Sequence, residues 1–136
     1  LSRIASGGEL SRIMLAIKTV TANQDNIGTL IFDEIDAGIS GRTAQMVANK
    51  LSELSQVHQI ICITHLPQIA SMADSHFMIE KTSTNNSTTT DIYQLKEEES
   101  DKELARLLGG SELTKAALDN ARELKEKARI FKNYKK

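Results

Sequence analysis

Apolar positions recur along this chain in two distinct rhythms. Leu10, Ile13, Met14, Ile17 and Val20 follow one another at helical spacing, which predicts a helix from about Ser6 to Ala22. Ser6 and Glu9 stand at the S-x-x-E spacing of a capping box, which marks its start. Asn23 to Gly28 reads as a polar turn. Thr29-Leu30-Ile31-Phe32 is a short apolar run, predicted to be a buried strand that ends in Asp33-Glu34. A glycine-bearing loop from Asp36 to Gly41 follows, with Ser40 the candidate N-cap of a helix through Ala44, Val47, Ala48, Leu51 and Leu54. Gln59 to Thr64 reads as a second buried strand, and His65-Leu66-Pro67 comes next. Pro67 suits the first turn of a short helix through Met72.

Phe77 to Glu80 is predicted as a third strand, and about Thr90 to Leu95 as a fourth. The low-complexity stretch Thr82 to Asp91 suits the hairpin tip between them. Ser100 and Glu103 form another capping-box pattern ahead of Leu104, Ala105, Leu107 and Leu108, and Gly109-Gly110 stops that helix. A last helix is predicted from about Thr114 to Phe131. Strand, helix, strand, helix, strand is the order of an α/β domain with a mainly parallel sheet, here followed by a short hairpin and C-terminal helices.

Composition narrows the function classes. The chain has 136 residues, 40% of them hydrophobic and 26% charged, as expected of one globular domain. Seventeen Lys and Arg against 18 Asp and Glu leave a net charge of -1, which excludes a wholly basic nucleic-acid coat. The single cysteine, Cys62, excludes an internal disulfide framework and a multi-cysteine zinc site. Cys62-x-x-His65 would need two further metal ligands, and His58 and His76 do not supply a metal-site spacing. No apolar run is long enough for a membrane span, and the first twenty residues carry Arg3, Glu9, Arg12 and Lys18, unlike a signal peptide. The expected compartment is the reducing cytoplasm. The two glycosylation-like patterns at Asn85 and Asn86 are then fortuitous. The chain opens at Leu1, directly in a motif-dense stretch, which points to a segment of a longer protein.

Ligands of parallel sheets sit beyond the carboxyl ends of the strands. Two strands here end in reactive groups: Asp33-Glu34 after the first and Thr64-His65 after the second. Adjacent carboxylates at a sheet rim can hold a hydrated magnesium ion and polarise a water for attack on phosphorus. A strand running out into a polar loop is the bland alternative. Ser6-Gly7-Gly8-Glu9 leaves bare N–H groups at a helix N-terminus, suited to a phosphate or simply to close packing. His65 can donate to a phosphoryl oxygen. Gly38-Ile39-Ser40-Gly41 lacks the G-x-S-x-G spacing of a serine hydrolase.

Taken in order, these motifs closely resemble the C-terminal half of an ABC-type ATPase head. The SGGE segment is similar to the signature motif, LIFDE to Walker B, the loop through Ser40 to the D-loop, and His65 to the switch histidine. LSRIASGGELSR, FDEIDAGISG and ITHLPQIASMAD narrow the resemblance to a bacterial DNA-repair branch of the chromosome-maintenance ATPases, from Leu1 through about Ala128. Ser40 departs from the broader class, which carries an aspartate there.

The resemblance implies an α/β lobe of a P-loop ATPase head, with ATP and Mg2+ as cofactors of the intact head. It implies that Ser6, Gly7, Gly8 and Glu9, with Ser40, bind the nucleotide of an opposing head in a homodimer. It further implies that Asp33 holds the magnesium shell, Glu34 activates the attacking water and His65 senses the γ-phosphate. No G-x-x-x-x-G-K-[ST] occurs in the chain. The partners implied are therefore an N-terminal lobe carrying that loop, a second head, and DNA through the whole protein, with no membrane. In this class the phosphate-loop strand lies between the second and third strands of the chain, so unpaired strand edges and self-association are expected. Two other readings remain open: a non-catalytic interaction module, and the ATPase subunit of a transporter. From Arg122 to Lys136 seven basic residues stand against Glu123 and Glu126, which leaves open a DNA contact or a solvated helix face.

Overall fold

The computed structural model describes residues 6–22, 24, 26–84, 87–110 and 113–134. Among the described residues, nine elements run in the order α1 (Gly7–Thr21), β1 (Thr29–Phe32), α2 (Gly41–Leu54), β2 (Gln59–Cys62), α3 (Pro67–Ala70), β3 (Phe77–Thr84), β4 (Ser87–Gln94), α4 (Glu97–Gly109) and α5 (Lys115–Tyr134). The fold is α/β, as the pattern predicts. Among the described residues its parallel sheet, however, consists of β1 and β2, in the register Thr29 with Gln59 through Phe32 with Cys62. β3 pairs with β4, antiparallel, in a separate two-stranded sheet. β2 and β3 thus do not meet, at the position where the expected unpaired edges fall.

α2 makes the principal packing surface. Its period places Ala44, Val47, Ala48, Leu51 and Leu54 on one buried face. That face meets Leu15 of α1, Phe32 of β1, Ile35, Ile69, Met72 and Ala128 of α5 in the main core. A second core joins Ala70 to Leu104 and Ala105 of α4 and Ala117 and Ala121 of α5. Ile35 and Leu104 have no exposed surface, a burial worth about 1.5–3 kcal/mol each.

Both strands of the parallel sheet are half-buried rather than buried through. Phe32 packs into the core, but Ile31 is 68% exposed and Ile61 46%. With period 2, only one set of side chains meets α2. α1 departs in the same way. Its helix spans the predicted residues, yet Leu10, Ile13, Met14, Ile17 and Val20 all face solvent. Gly8 and Leu15 are the buried positions of this helix. Helical spacing finds a helix and its apolar stripe; which stripe touches the core depends on what else is present.

Two predicted boundaries move. The hairpin strands run eight residues each, so most of Thr82 to Asp91 is strand, with Thr82 opposite Thr89 and Ser83 opposite Thr88. β-branched threonines fit a pleated surface, and the Ser83 and Thr88 hydroxyls lie 3.2 Å apart. Asn85 and Asn86 lie outside the described residues. α4 starts at Glu97 rather than at Ser100. Three glutamates occupy its first turn, favourable at the positive end of a helix, and Glu99 accepts from the Lys96 N–H at 2.7 Å. Ser100 sits inside the helix, buried, with its hydroxyl 3.0 Å from His76 Nδ1.

Candidate functional site

The carboxyl end of β1 turns sharply into the loop 33–40. Asp33 Oδ1 accepts the Glu34 N–H at 2.9 Å, and Glu34 takes a left-handed backbone, φ 56°. Ala37 then donates its N–H to the Glu34 carbonyl at 2.9 Å. Glu34 is the only non-glycine residue with positive φ among those described. Such a conformation costs roughly 1–2 kcal/mol and persists only where the surroundings hold it.

What holds it is the start of α1. Ser6 caps that helix: its hydroxyl accepts the Glu9 N–H at 3.3 Å and Glu9 accepts the Ser6 N–H at 3.1 Å. Glu9 is thereby engaged in the cap. Ser11 donates to the Asp33 carbonyl at 2.8 Å, and Arg12 Nη1 donates to the Ile35 and Ala37 carbonyls at 3.1 and 2.8 Å. A Cβ on Gly8 would come within 2.7 Å of the Glu34 carbonyl oxygen and 2.9 Å of Ala37 Cβ. A Cβ on Gly7 would collide with the Glu34 carboxylate. The glycine helix start and the acid pair therefore form one structure, and the glycines are required by contact. Ser11 and Arg12 close the LSRIASGGELSR stretch, but motif reasoning gave them no role.

The end of β2 joins the same rim through Asp36. This carboxylate is only 4% exposed. Its Oδ2 accepts the Thr64 hydroxyl at 2.6 Å and the His65 N–H at 2.8 Å, and lies 2.9 Å from His65 Nδ1. The Leu66 N–H donates to Thr64 Oγ1 at 3.0 Å. The His65 side chain itself is largely exposed. Sequence reasoning missed Asp36; the signal available was a third acid two residues after the pair. Cys62, on β2, reports the electrostatics here. Its thiol is pushed up to about 12, first by burial and then by Asp36 and Asp33. It stays protonated and unreactive at neutral pH.

The remaining candidates take plainer positions. Ser40 occupies the predicted N-cap of α2 in extended backbone, but its side chain makes no capping bond and is exposed. His58 is buried, with Nδ1 2.6 Å from the Ile27 carbonyl, and His76 contacts Ser100. Among the described residues no group of three or more His, Cys, Asp or Glu is placed to hold a metal ion. Magnesium typically needs less, one or two carboxylates with substrate phosphates and water, and the exposed Asp33 suits that donor set. No helix among the described residues is long and apolar enough to cross a membrane.

The basic run of α5 is largely spoken for. Arg122 and Lys125 reach Asp101 at 3.4 and 2.8 Å, Lys125 and Arg129 reach Glu97 at 2.9 and 2.6 Å, and Lys132 reaches Asp74 at 2.7 Å. These pairs tie α5 to α4 and to the turn after α3, which favours the structural reading of the charge run. Lys135 and Lys136 lie outside the described residues.

No protein-family model matches the chain. Comparison with curated sequences first gives the class: its relatives are bacterial DNA repair proteins. The particular protein they share is RecN, to which this chain is homologous over nearly its whole length. It is 46% identical to DNA repair protein RecN of Halalkalibacterium halodurans over 132 residues, 97% of this chain and 23% of that protein. It is 52% identical to that of Haemophilus influenzae over 124 residues, 91% of this chain and 22% of that protein. For Bacillus subtilis the figures are 46% over 128 residues, 94% and 22%. The chain thus spans less than a quarter of the length of these relatives, in keeping with a C-terminal segment of RecN.

Proposed function

We propose that this chain is the C-terminal lobe of an ATP-hydrolysing head in a DNA repair protein of the RecN kind, acting in the cytoplasm at the nucleoid. The observation that carries this reading is the meeting of the acid loop and the histidine loop at one sheet rim, joined through Asp36. In the intact head, Asp33 would hold a hydrated Mg2+, which neutralises phosphate charge. Glu34 would orient and deprotonate the attacking water, and His65 would sense the γ-phosphate. Ser6, Gly7 and Gly8, with Ser40, would face the nucleotide of a second head in a homodimer. Positioning and charge neutralisation supply most of phosphoryl-transfer catalysis, and these residues would supply them jointly with a phosphate loop.

The exposed stripe of α1 and the open faces of β1 and β2 support a further lobe of the same protein, bearing the phosphate loop, as partner. DNA would be engaged by the complete protein.

The decisive experiment is Glu34→Gln in the complete protein. Turnover should fall by about 10²–10⁴-fold with an ATP-bound, engaged state accumulating. Wild-type turnover would refute the assignment. The 136-residue chain alone should hydrolyse ATP negligibly, because it has no phosphate loop. Robust Mg2+-dependent turnover by the chain alone would refute the two-lobe reading.

A further inference from the structure

Asp36 is the buried hub of the rim, yet the chemistry above leaves it without a task. One of its oxygens, Oδ2, gathers three contacts from the histidine loop: Thr64 Oγ1 at 2.6 Å, His65 N at 2.8 Å and His65 Nδ1 at 2.9 Å. A backbone N–H can only donate, so Oδ2 is an acceptor there. A carboxylate oxygen 2.9 Å from Nδ1 favours the proton on that nitrogen, because two lone pairs at this distance repel, and Nε2 is the ring nitrogen left outside the contact. Burial differs sharply across the pair. The Asp36 side chain is 5% exposed and the His65 side chain 71%. A fixed carboxylate thus holds the inner edge of a ring whose outer edge meets solvent.

We propose that Asp36 is a positioning residue for His65. It sets the Nδ1–H tautomer, turns the Nε2 lone pair outward, where it can accept from a water at the reacting phosphate, and couples the histidine loop to the acid loop. Asp36 lies two residues after Glu34, and the Glu34 turn closes on Ala37 directly beyond it. A shift of the acid loop must therefore move the histidine. The effect on turnover rests on the ATPase reading above; the tautomer does not.

Two measurements test this separately. In the 136-residue chain, nitrogen–proton correlation spectra of the histidine rings, assigned by loss of one set in His65→Gln, distinguish the Nδ1–H and Nε2–H tautomers by their ring-nitrogen shifts. The wild type should show Nδ1–H for His65. Asp36→Asn, which keeps an oxygen acceptor, should retain it. Asp36→Ala should convert it to Nε2–H. An Nε2–H wild type overturns the proposal even where the alanine variant does not fold, and so does Nδ1–H persisting in a folded Asp36→Ala.

In the complete protein, Asp36→Ala should lower kcat by about 10- to 100-fold with little change in KM for ATP. It should add nothing to His65→Ala, because both remove the same oriented group. Additive losses, or a loss confined to KM, overturn the positioning role. A wild-type protein without any ATP turnover would sink the ATPase reading and leave the tautomer to decide the Asp36 assignment.

Discussion

Gly8 lies against the Glu34 carbonyl and Ala37, so its missing side chain is what lets α1 press on the acid loop. Gly8→Ala should lower stability by about 1–2 kcal/mol in urea unfolding, the overpacking penalty less the gain in helix propensity. At Gly28, before β1, an added Cβ would meet nothing within 4 Å, so Gly28→Ala should raise stability by about 0.4–1 kcal/mol. Equal effects at both positions would show that the close approach at Gly8 is not formed. At this scale the motifs are readable in part. Ser6, Gly7, Gly8, Asp33, Glu34 and His65 stand out because strand ends and a capping box mark them locally. Asp36, Ser11 and Arg12 do not, because their partners lie far along the chain and no local pattern records the meeting.

Between elements, the junction of the hairpin with α4 carries a pH dependence. His76 precedes β3 and faces Ser100 on α4, with Glu103 and Lys125 nearby. Burial chiefly, and Lys125 secondarily, lower its pKa below 6.5, while Glu103 opposes this. The unfolded chain therefore binds the extra proton at higher pH than the folded chain does. Stability is full above the unfolded value and falls as pH drops below about 6.5. The urea midpoint of the wild type should decrease between about pH 7.5 and 5.5, and His76→Gln should flatten that slope. An unchanged slope in the variant would remove His76 as the source. Element types are largely legible in the sequence: α1, α2, β1, β2 and α5 fall within a few residues of their predicted spans. The start of α4 is not, because an acidic first turn competes with a Ser-x-x-Glu pattern. The hairpin exceeds its predicted length because threonine serves both turns and strands.

For the whole molecule, the decisive feature is apolar surface without a cover. The α1 stripe, with Val20 83% exposed, adds to Ile31 and Ile61 on the parallel sheet and to Ile63 directly after β2. Exposed patches of this kind and unpaired strand edges drive association. Sedimentation of the 136-residue chain should therefore show a mass rising with concentration above 15.0 kDa, reduced by Ile13→Lys and Ile17→Lys. A strictly monomeric mass at all concentrations would contradict this. The near-neutral charge is distributed in the same economical way, with the α5 cations paired to α4 acids instead of forming an open basic face.

Sequence alone determined the element types, the order of the motifs and the α/β class, because helical and strand periods, caps and strand-end acids are local properties of the chain. Only tertiary structure decided which face of α1 is buried, how few strands the parallel sheet contains, and that Asp36 joins the two strand ends. Those outcomes depend on contacts between distant segments, where burial of one face leaves another open and a single buried carboxylate must collect its donors from another loop.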